Sequence, residues 1–160
     1  MTPADIALLV SALRGDRRAA SRHAALALRL LDQLDDEVAQ TAFAASLHHY
    51  YSALESIAER VLRSFEQTIP KGDRWHQDVL ELATLDVPDY RPALFSAATL
   101  PLLRKSLAFR HFFRHAYAAA WDRVELQHNG ETLRALVPLV DADLDRFTAV
   151  LLAALERPEG

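Results

Sequence analysis

A short basic segment in the second half of the chain carries side chains that could act on a phosphodiester. Arg110 and His115 lie five positions apart, with His111 and Arg114 between them and Tyr117 two positions further on. A neutral histidine can take a proton from a hydroxyl group, and a guanidinium can stabilise the charge that builds up on a phosphate. Metal-independent cleavage of RNA through its 2′-hydroxyl needs both groups. We therefore predict His115 as the base and Arg110 as the phosphate ligand.

On a helix, this segment would place Arg110 and Tyr117 on one face. At about 100° per residue, Tyr117 lies about 20° and Arg114 about 40° from Arg110 around the helix axis. His111 and His115 lie about 100° and about 140° away, and phenylalanines occupy much of the opposite side. This alignment favours control of Arg110 by Tyr117 over catalysis within one subunit. We therefore expect the catalytic site to need a second chain.

The spacing of arginine and histidine is not specific by itself. The same separation occurs twice more in the chain, at Arg18 with His23 and at Arg123 with His128. The copy at Arg110 differs because a tyrosine follows the histidine by two positions and a second histidine follows the arginine directly. The alternative interpretation is that Arg110 and His115 form a buried polar pair that stabilises a helix interface.

For the other polar side chains, a role in packing or at the solvent-exposed surface is favoured over a role in catalysis or metal binding. His111 and His115 have a spacing that can hold zinc, but the sequence has no HExxH motif and no cysteine. We therefore predict neither a metal site nor a cofactor. The run of two histidines and two tyrosines at residues 48–51 is interpreted mainly as packing, and Trp75 and His76 are interpreted as a core anchor and a helix cap.

Composition and charge narrow the class of protein. Hydrophobic residues make up 51% of the chain and only four of the 160 residues are glycine, which favours helices over sheets. The net charge of −4 argues against a surface that is basic throughout, so any contact with RNA must be local. The apolar run near the start is too short for a membrane span and follows no basic segment. We expect a cytoplasmic protein without membrane contact.

Helical spacing of apolar residues predicts four long helices and one short one. They cover residues 3–37, 38–67, a short segment near 75–83, a helix that starts after Ser96 or Thr99 and continues to about Asp122, and residues 131–155. Gly15 is a candidate break in the first helix, His128 to Gly130 are predicted as a turn, and Pro138 as a kink. The expected fold is all-α, an up-and-down four-helix bundle that forms one domain over residues 1–160.

The segment RHFFRHAY, from Arg110 to Tyr117, follows the pattern R-x4-H-x-Y and resembles the signature of HepT-type HEPN proteins. The segments WHQDVLELAT and RPALFSAATLPLLRKSLAFRHFFRHAY are also similar to those of HepT-like ribonuclease toxins. The resemblance covers about residues 40–125, after a long N-terminal helical hairpin.

The resemblance implies a HEPN-like bundle that acts as a metal-independent RNA endonuclease toxin on tRNA or mRNA. It implies a homodimer with one composite cleft, in which Arg110 and His115 are catalytic and His111 and Arg114 support contacts with RNA phosphates. It also implies a cognate MNT-type nucleotidyltransferase antitoxin that attaches AMP to Tyr117, which adds negative charge beside the arginines. The alternative is a non-catalytic helical module that binds a partner nucleotidyltransferase.

Overall fold

Five α-helices make up most of the part of the chain that the structure describes. The computed structural model describes residues 1–66, 68–72, 74–115 and 121–155, except for the side chains of Arg114 and His115. The helices are α1 (Pro3–Leu30), α2 (Glu37–Phe65), α3 (Trp75–Ala83), α4 (Leu100–His115) and α5 (Arg123–Leu155), with a 3-10 turn at Leu31–Gln33. The prediction of an all-α bundle with a short helix at residues 75–83 is confirmed.

The first two helices form a hairpin whose starts are defined by side-chain caps. Thr2 accepts a hydrogen bond from the backbone of Asp5 and Asp5 accepts one in return, which is a capping box. Asp36 accepts from the backbone N–H of Ala39 at 2.8 Å and so begins α2. The first helix ends at Leu30, before the 3-10 turn and short of the predicted end at residue 37. The helix continues through Gly15, so no break occurs there.

The last helix begins earlier than predicted. Asp122 accepts from the backbone N–H of Val124 at 2.8 Å, and α5 then runs on through residues 128–130, so the predicted turn is wrong. The glycine has a packing role, because a Cβ on Gly130 would lie 2.2 Å from Cδ1 of Leu31. Close approach of α5 to the side chain of Leu31, in the 3-10 turn, therefore favours glycine here. The helix also contains Pro138 in its interior.

The start of α4 is held by a buried carboxylate on α5. Asp143 accepts hydrogen bonds from the backbone N–H of Ser96 at 2.8 Å and from the hydroxyl of Thr99 at 2.6 Å. The carbonyl of Thr99 accepts from the backbone N–H of Leu103, so the predicted start after Thr99 is confirmed. The described part of α4 ends at His115 and Asp122 is not helical, and residues 116–120, near the predicted end, lie outside the described ranges.

The second helix is the central element of the bundle and contacts α1, α3, α4 and α5. Apolar side chains along its whole length are fully buried, among them Phe43, Leu54, Ile57 and Val61. Because α2 touches α3 and α4 together, polar groups on its surface can meet polar groups from both of them. Among the described residues we find no helix with the length and apolar content needed to cross a bilayer.

Candidate functional site

Arg110 lies at the edge of the buried face of α4. Phe109 beside it is buried, and the side chain of Arg110 is 15% exposed, so the guanidinium is directed into the bundle. The helical wheel placed the phenylalanines together on the opposite side, but Phe112 is 40% exposed while Phe113 packs against the core. Among the described side chains, the inward face of α4 therefore combines the guanidinium of Arg110 with aromatic rings.

Glu55 of α2 is the carboxylate that faces Arg110. The side chain of Glu55 is 7% exposed, and its Oε2 lies 3.7 Å from Nε of Arg110. Its other oxygen, Oε1, lies 2.6 Å from Nδ1 of His76, at the start of α3. One buried carboxylate thus joins the arginine of the motif to an imidazole on a third helix. We call Glu55, His76 and Arg110 the Glu55 cluster.

The contacts of His76 define which of its ring nitrogens carries a proton. Its Nε2 lies 3.4 Å from Nη1 of Arg110, and a guanidinium can only donate hydrogen bonds. Nε2 therefore accepts, and Nδ1 carries the proton that it donates to Glu55. The negative charge of Glu55 and the positive charge of Arg110 face each other in this cluster. Trp75 packs on the imidazole with ring centroids 4.0 Å apart, which restricts its rotation.

Two aromatic side chains of α2 border the Glu55 cluster. The hydroxyl of Tyr51 is buried and has no hydrogen-bond partner among the described residues. Burial raises the pKa of Tyr51, the negative charge of Glu55 raises it further, and Arg110 opposes this effect. One turn earlier, the ring of His48 stacks on Phe113 of α4 at 4.7 Å. Tyr51 therefore stays a neutral phenol beside the ion pair.

The structure places the predicted site residues in three different settings. Arg110 is inside the Glu55 cluster, whereas His111 is exposed on the outer face of α4 and lines a groove between α3 and α4. The side chains of Arg114 and His115, and the whole of Tyr117, lie outside the described residues. The described residues therefore define the surroundings of the arginine of the motif and not those of its histidine.

The other two pairs of arginine and histidine have different surroundings. Arg123 forms an ion pair with Asp35 across the bundle. His23 lies on α1 with its ring centroid 5.1 Å from that of His49. Among the three arginines that precede a histidine by five positions, Arg110 is thus the one that contacts both a buried glutamate and an imidazole.

The sequence analysis missed Glu55 and misjudged His76. Glu55 lies within the apolar stripe of α2, four residues after Tyr51 and three before Ala58, so its spacing indicated a buried carboxylate, and this signal was overlooked. His76 was predicted as a helix cap, but the residue at the cap position of α3 is Arg74, which makes no side-chain capping bond. For His76, the sequence carried one signal of a functional role, because Trp75 and His76 fall within a segment that resembles the HepT-like proteins.

A model of a protein family, described as HepT-like protein, matches residues 42–151, which is well over half of the chain. The chain belongs to the HepT-like family. The match is longer than the resemblance read from the sequence, since it continues through most of α5 and contains the Glu55 cluster. Comparison with curated proteins and with solved structures gives no significant match.

Membership of the family places the HepT-like chain among HEPN proteins, which are toxin-related modules generally connected with ribonuclease activity and RNA binding. No group of three or more His, Cys, Asp or Glu side chains that could hold a metal ion occurs within the described ranges.

Proposed function

We propose that this HepT-like protein is a metal-independent RNA endonuclease toxin of a toxin–antitoxin pair. Arg110 binds the phosphate at the point of cleavage and His115 acts as the base, in a composite cleft formed by two copies of the chain. The observation that carries the proposal is the combination of the family match with the position of Arg110, whose Nε lies 3.7 Å from the carboxylate of a buried glutamate.

The reaction is a transesterification that needs two proton transfers and no redox step. His115 takes the proton of the 2′-hydroxyl, whose oxygen attacks the neighbouring phosphorus. The bond from phosphorus to the 5′-oxygen breaks, that oxygen takes a proton from water as it leaves, and His115 returns its proton to the solvent. A cyclic phosphate and a free 5′-hydroxyl result. The guanidinium of Arg110 stabilises the charge on the phosphate oxygens as the new bond forms.

Anchoring by Glu55 supports this role of Arg110. A guanidinium has five donors in a fixed plane, and the described contacts with Glu55 and His76 are made through Nε and Nη1. Holding the plane on one side limits the orientations open to the rest of the group. Such preorganisation makes a charged donor effective in catalysis, because the donor does not have to reorganise when the substrate reacts.

Control by a partner completes the proposal. A cognate MNT-type nucleotidyltransferase antitoxin attaches AMP to Tyr117, seven positions after Arg110 in the sequence. The added phosphate carries negative charge and bulk, and it repels or excludes an RNA phosphate from the arginine. The expected product is a gain of one AMP in the mass of the chain, which Tyr117→Phe abolishes.

The test of the ribonuclease proposal compares point variants with a matched pair. Purified protein is incubated with tRNA and mRNA in EDTA, beside Arg110→Lys and His115→Asn. Arg110→Lys keeps the charge but loses the planar donor pair, and each variant is expected to cleave at least about a hundredfold more slowly. Arg18→Lys and His23→Asn, with the same spacing on α1, should cleave like the wild type. Equal rates in all five proteins would contradict the assignment.

A second function is favoured by one specific observation. Arg110 is already engaged by Glu55 and His76 within one subunit, as expected of a group that stabilises a helix interface. A non-catalytic helical module that binds a nucleotidyltransferase would need no more than this. Expression of the wild-type gene in cells without any antitoxin separates the two functions, because growth arrest supports the toxin and normal growth supports the module.

A further inference from the structure

A groove lined by arginines and histidines lies beside the Glu55 cluster. It lies between the start of α3 and the outer face of α4 and has a volume of about 430 Å³. We call it the α3–α4 groove, and its lining residues are Arg74, His76, Gln77, Arg104, Leu107, Ala108 and His111. The lining combines two guanidinium groups and two imidazoles with a larger apolar surface.

The charge of the α3–α4 groove differs from that of the chain as a whole. The chain carries a net charge of −4, whereas the charged side chains that line the groove are both arginines. Glu81 of α3 stands next to the groove and forms an ion pair with Arg104 at 2.6 Å. Both side chains of that pair are about half exposed, so the pair is weak and a phosphate can compete for the arginine.

The α3–α4 groove adjoins the proposed catalytic arginine. His76 belongs to both places, because its ring lines the groove while its Nε2 lies 3.4 Å from Nη1 of Arg110. An RNA phosphate bound at Arg110 would therefore lie on the far side of His76 from the groove, which is close enough for the same strand to reach both places. Leu107 and Ala108 offer an apolar surface for the base or the ribose, and the arginines offer donors for the phosphate.

We propose that the α3–α4 groove binds the RNA phosphate adjacent to the one held by Arg110, with Arg74 and Arg104 as its ligands. The inference rests on the proposed function for the identity of the strand. It adds a subsite that lies outside the R-x4-H-x-Y segment and that positions the substrate without taking part in proton transfer. A mononucleotide such as AMP offers the same phosphate chemistry, so the test must separate it from RNA.

Binding is measured without cleavage, so that the subsite is tested independently of the ribonuclease activity. A fluorescent 2′-O-methyl RNA oligonucleotide, which has no nucleophilic hydroxyl, is titrated with the full chain in EDTA at several salt concentrations. Arg74→Gln and Arg104→Gln are each expected to weaken binding about tenfold, as loss of one charged hydrogen bond predicts. Loss of the phosphate contact should reduce the slope of log K against log salt by about 0.7.

Lys105 provides the matched control, since it is adjacent to Arg104, loses the same charge on substitution and lines a different groove beside His128 and Asn129. Lys105→Gln should leave the affinity within about twofold of the wild type, as a long-range charge effect at physiological salt predicts. Conversely, Glu81→Gln releases Arg104 and should strengthen binding, whereas Glu59→Gln, on the surface of α2, should not. Circular dichroism confirms that each variant is folded.

The outcomes distinguish the subsite from the proposed function. Equal weakening by Lys105→Gln and the two arginine variants would show nonspecific attraction and overturn the inference. If AMP binds through Arg74 and Arg104 while the RNA probe does not, the groove is a mononucleotide site and the inference is wrong. If Arg110→Lys abolishes cleavage of natural RNA but Arg74→Gln and Arg104→Gln bind the probe as tightly as the wild type, the subsite is refuted and the proposed function is not. If binding of the probe depends on Arg74 and Arg104 but the wild-type protein cleaves no natural RNA, the subsite is supported and the ribonuclease proposal is refuted.

Discussion

Glu55→Gln tests whether Arg110 depends on a buried counter-charge. Removing one partner of a buried ion pair typically costs about 3–5 kcal/mol, because the remaining charge is left without compensation. Gln keeps an oxygen that can accept the proton of His76, so the loss falls on Arg110. That side chain is 15% exposed and 3.7 Å from the carboxylate, which places the expected cost at the lower end, about 3 kcal/mol. For a chain of this size, the Tm should fall by roughly 6–12 °C.

Urea unfolding followed by circular dichroism, at one protein concentration, measures this cost. Glu59→Gln is the matched control, because Glu59 lies one turn later on α2 and pairs with Arg63 at the surface. Its loss should cost less than about 1 kcal/mol. In the double variant Glu55→Gln with Arg110→Met, no cation is left behind, so the combined cost should be about 2 kcal/mol smaller than the sum of the single costs.

The cycle has a clear opposing result. If Glu55→Gln costs no more than Glu59→Gln, the carboxylate does not stabilise Arg110 and the argument from burial is wrong. Strict additivity of Glu55→Gln and Arg110→Met would equally show that the two side chains do not interact across their separation of 3.7 Å. Either result would remove the support that anchoring gives to the catalytic role of Arg110.

Two further predictions concern packing and protonation. Gly130→Ala should destabilise the fold by about 1–3 kcal/mol, because the added Cβ clashes with Leu31. Gly15→Ala, where the nearest atom is 3.9 Å away, should stabilise the fold by about 0.5–1 kcal/mol. Equal effects of the two substitutions in urea unfolding would contradict the close approach at Gly130. Burial and the charge of His49 lower the pKa of His23 in the folded protein. The contribution of the neutral His23 to the free energy of unfolding is therefore fully present above a pH of about 6.5 and is lost as the pH falls through the pKa of the folded state. His49→Gln should raise the NMR titration midpoint of His23, and an unchanged midpoint would be the opposite result.

Most of the helices could be predicted from local sequence, because apolar spacing and caps act within a few residues. The bounds of α3 agree with the prediction, and α2 agrees to within two residues at each end. The errors lie where tertiary contact overrides a local signal. The Asn-Gly pair at residues 129–130 favours a turn, yet it lies inside α5 because the glycine lets the helix approach Leu31.

The candidate site, like the helices, has features that follow from local sequence and features that depend on tertiary contacts. The sequence by itself determined that Arg110 belongs to a helical segment of the HepT type and that the chain belongs to that family. Only the tertiary structure decided that Arg110 contacts Glu55, 55 positions earlier, and His76, 34 positions earlier. Periodicity fixes how side chains are arranged around one helix axis. It does not fix how that helix is rotated against its neighbours, and this rotation determines which charges meet.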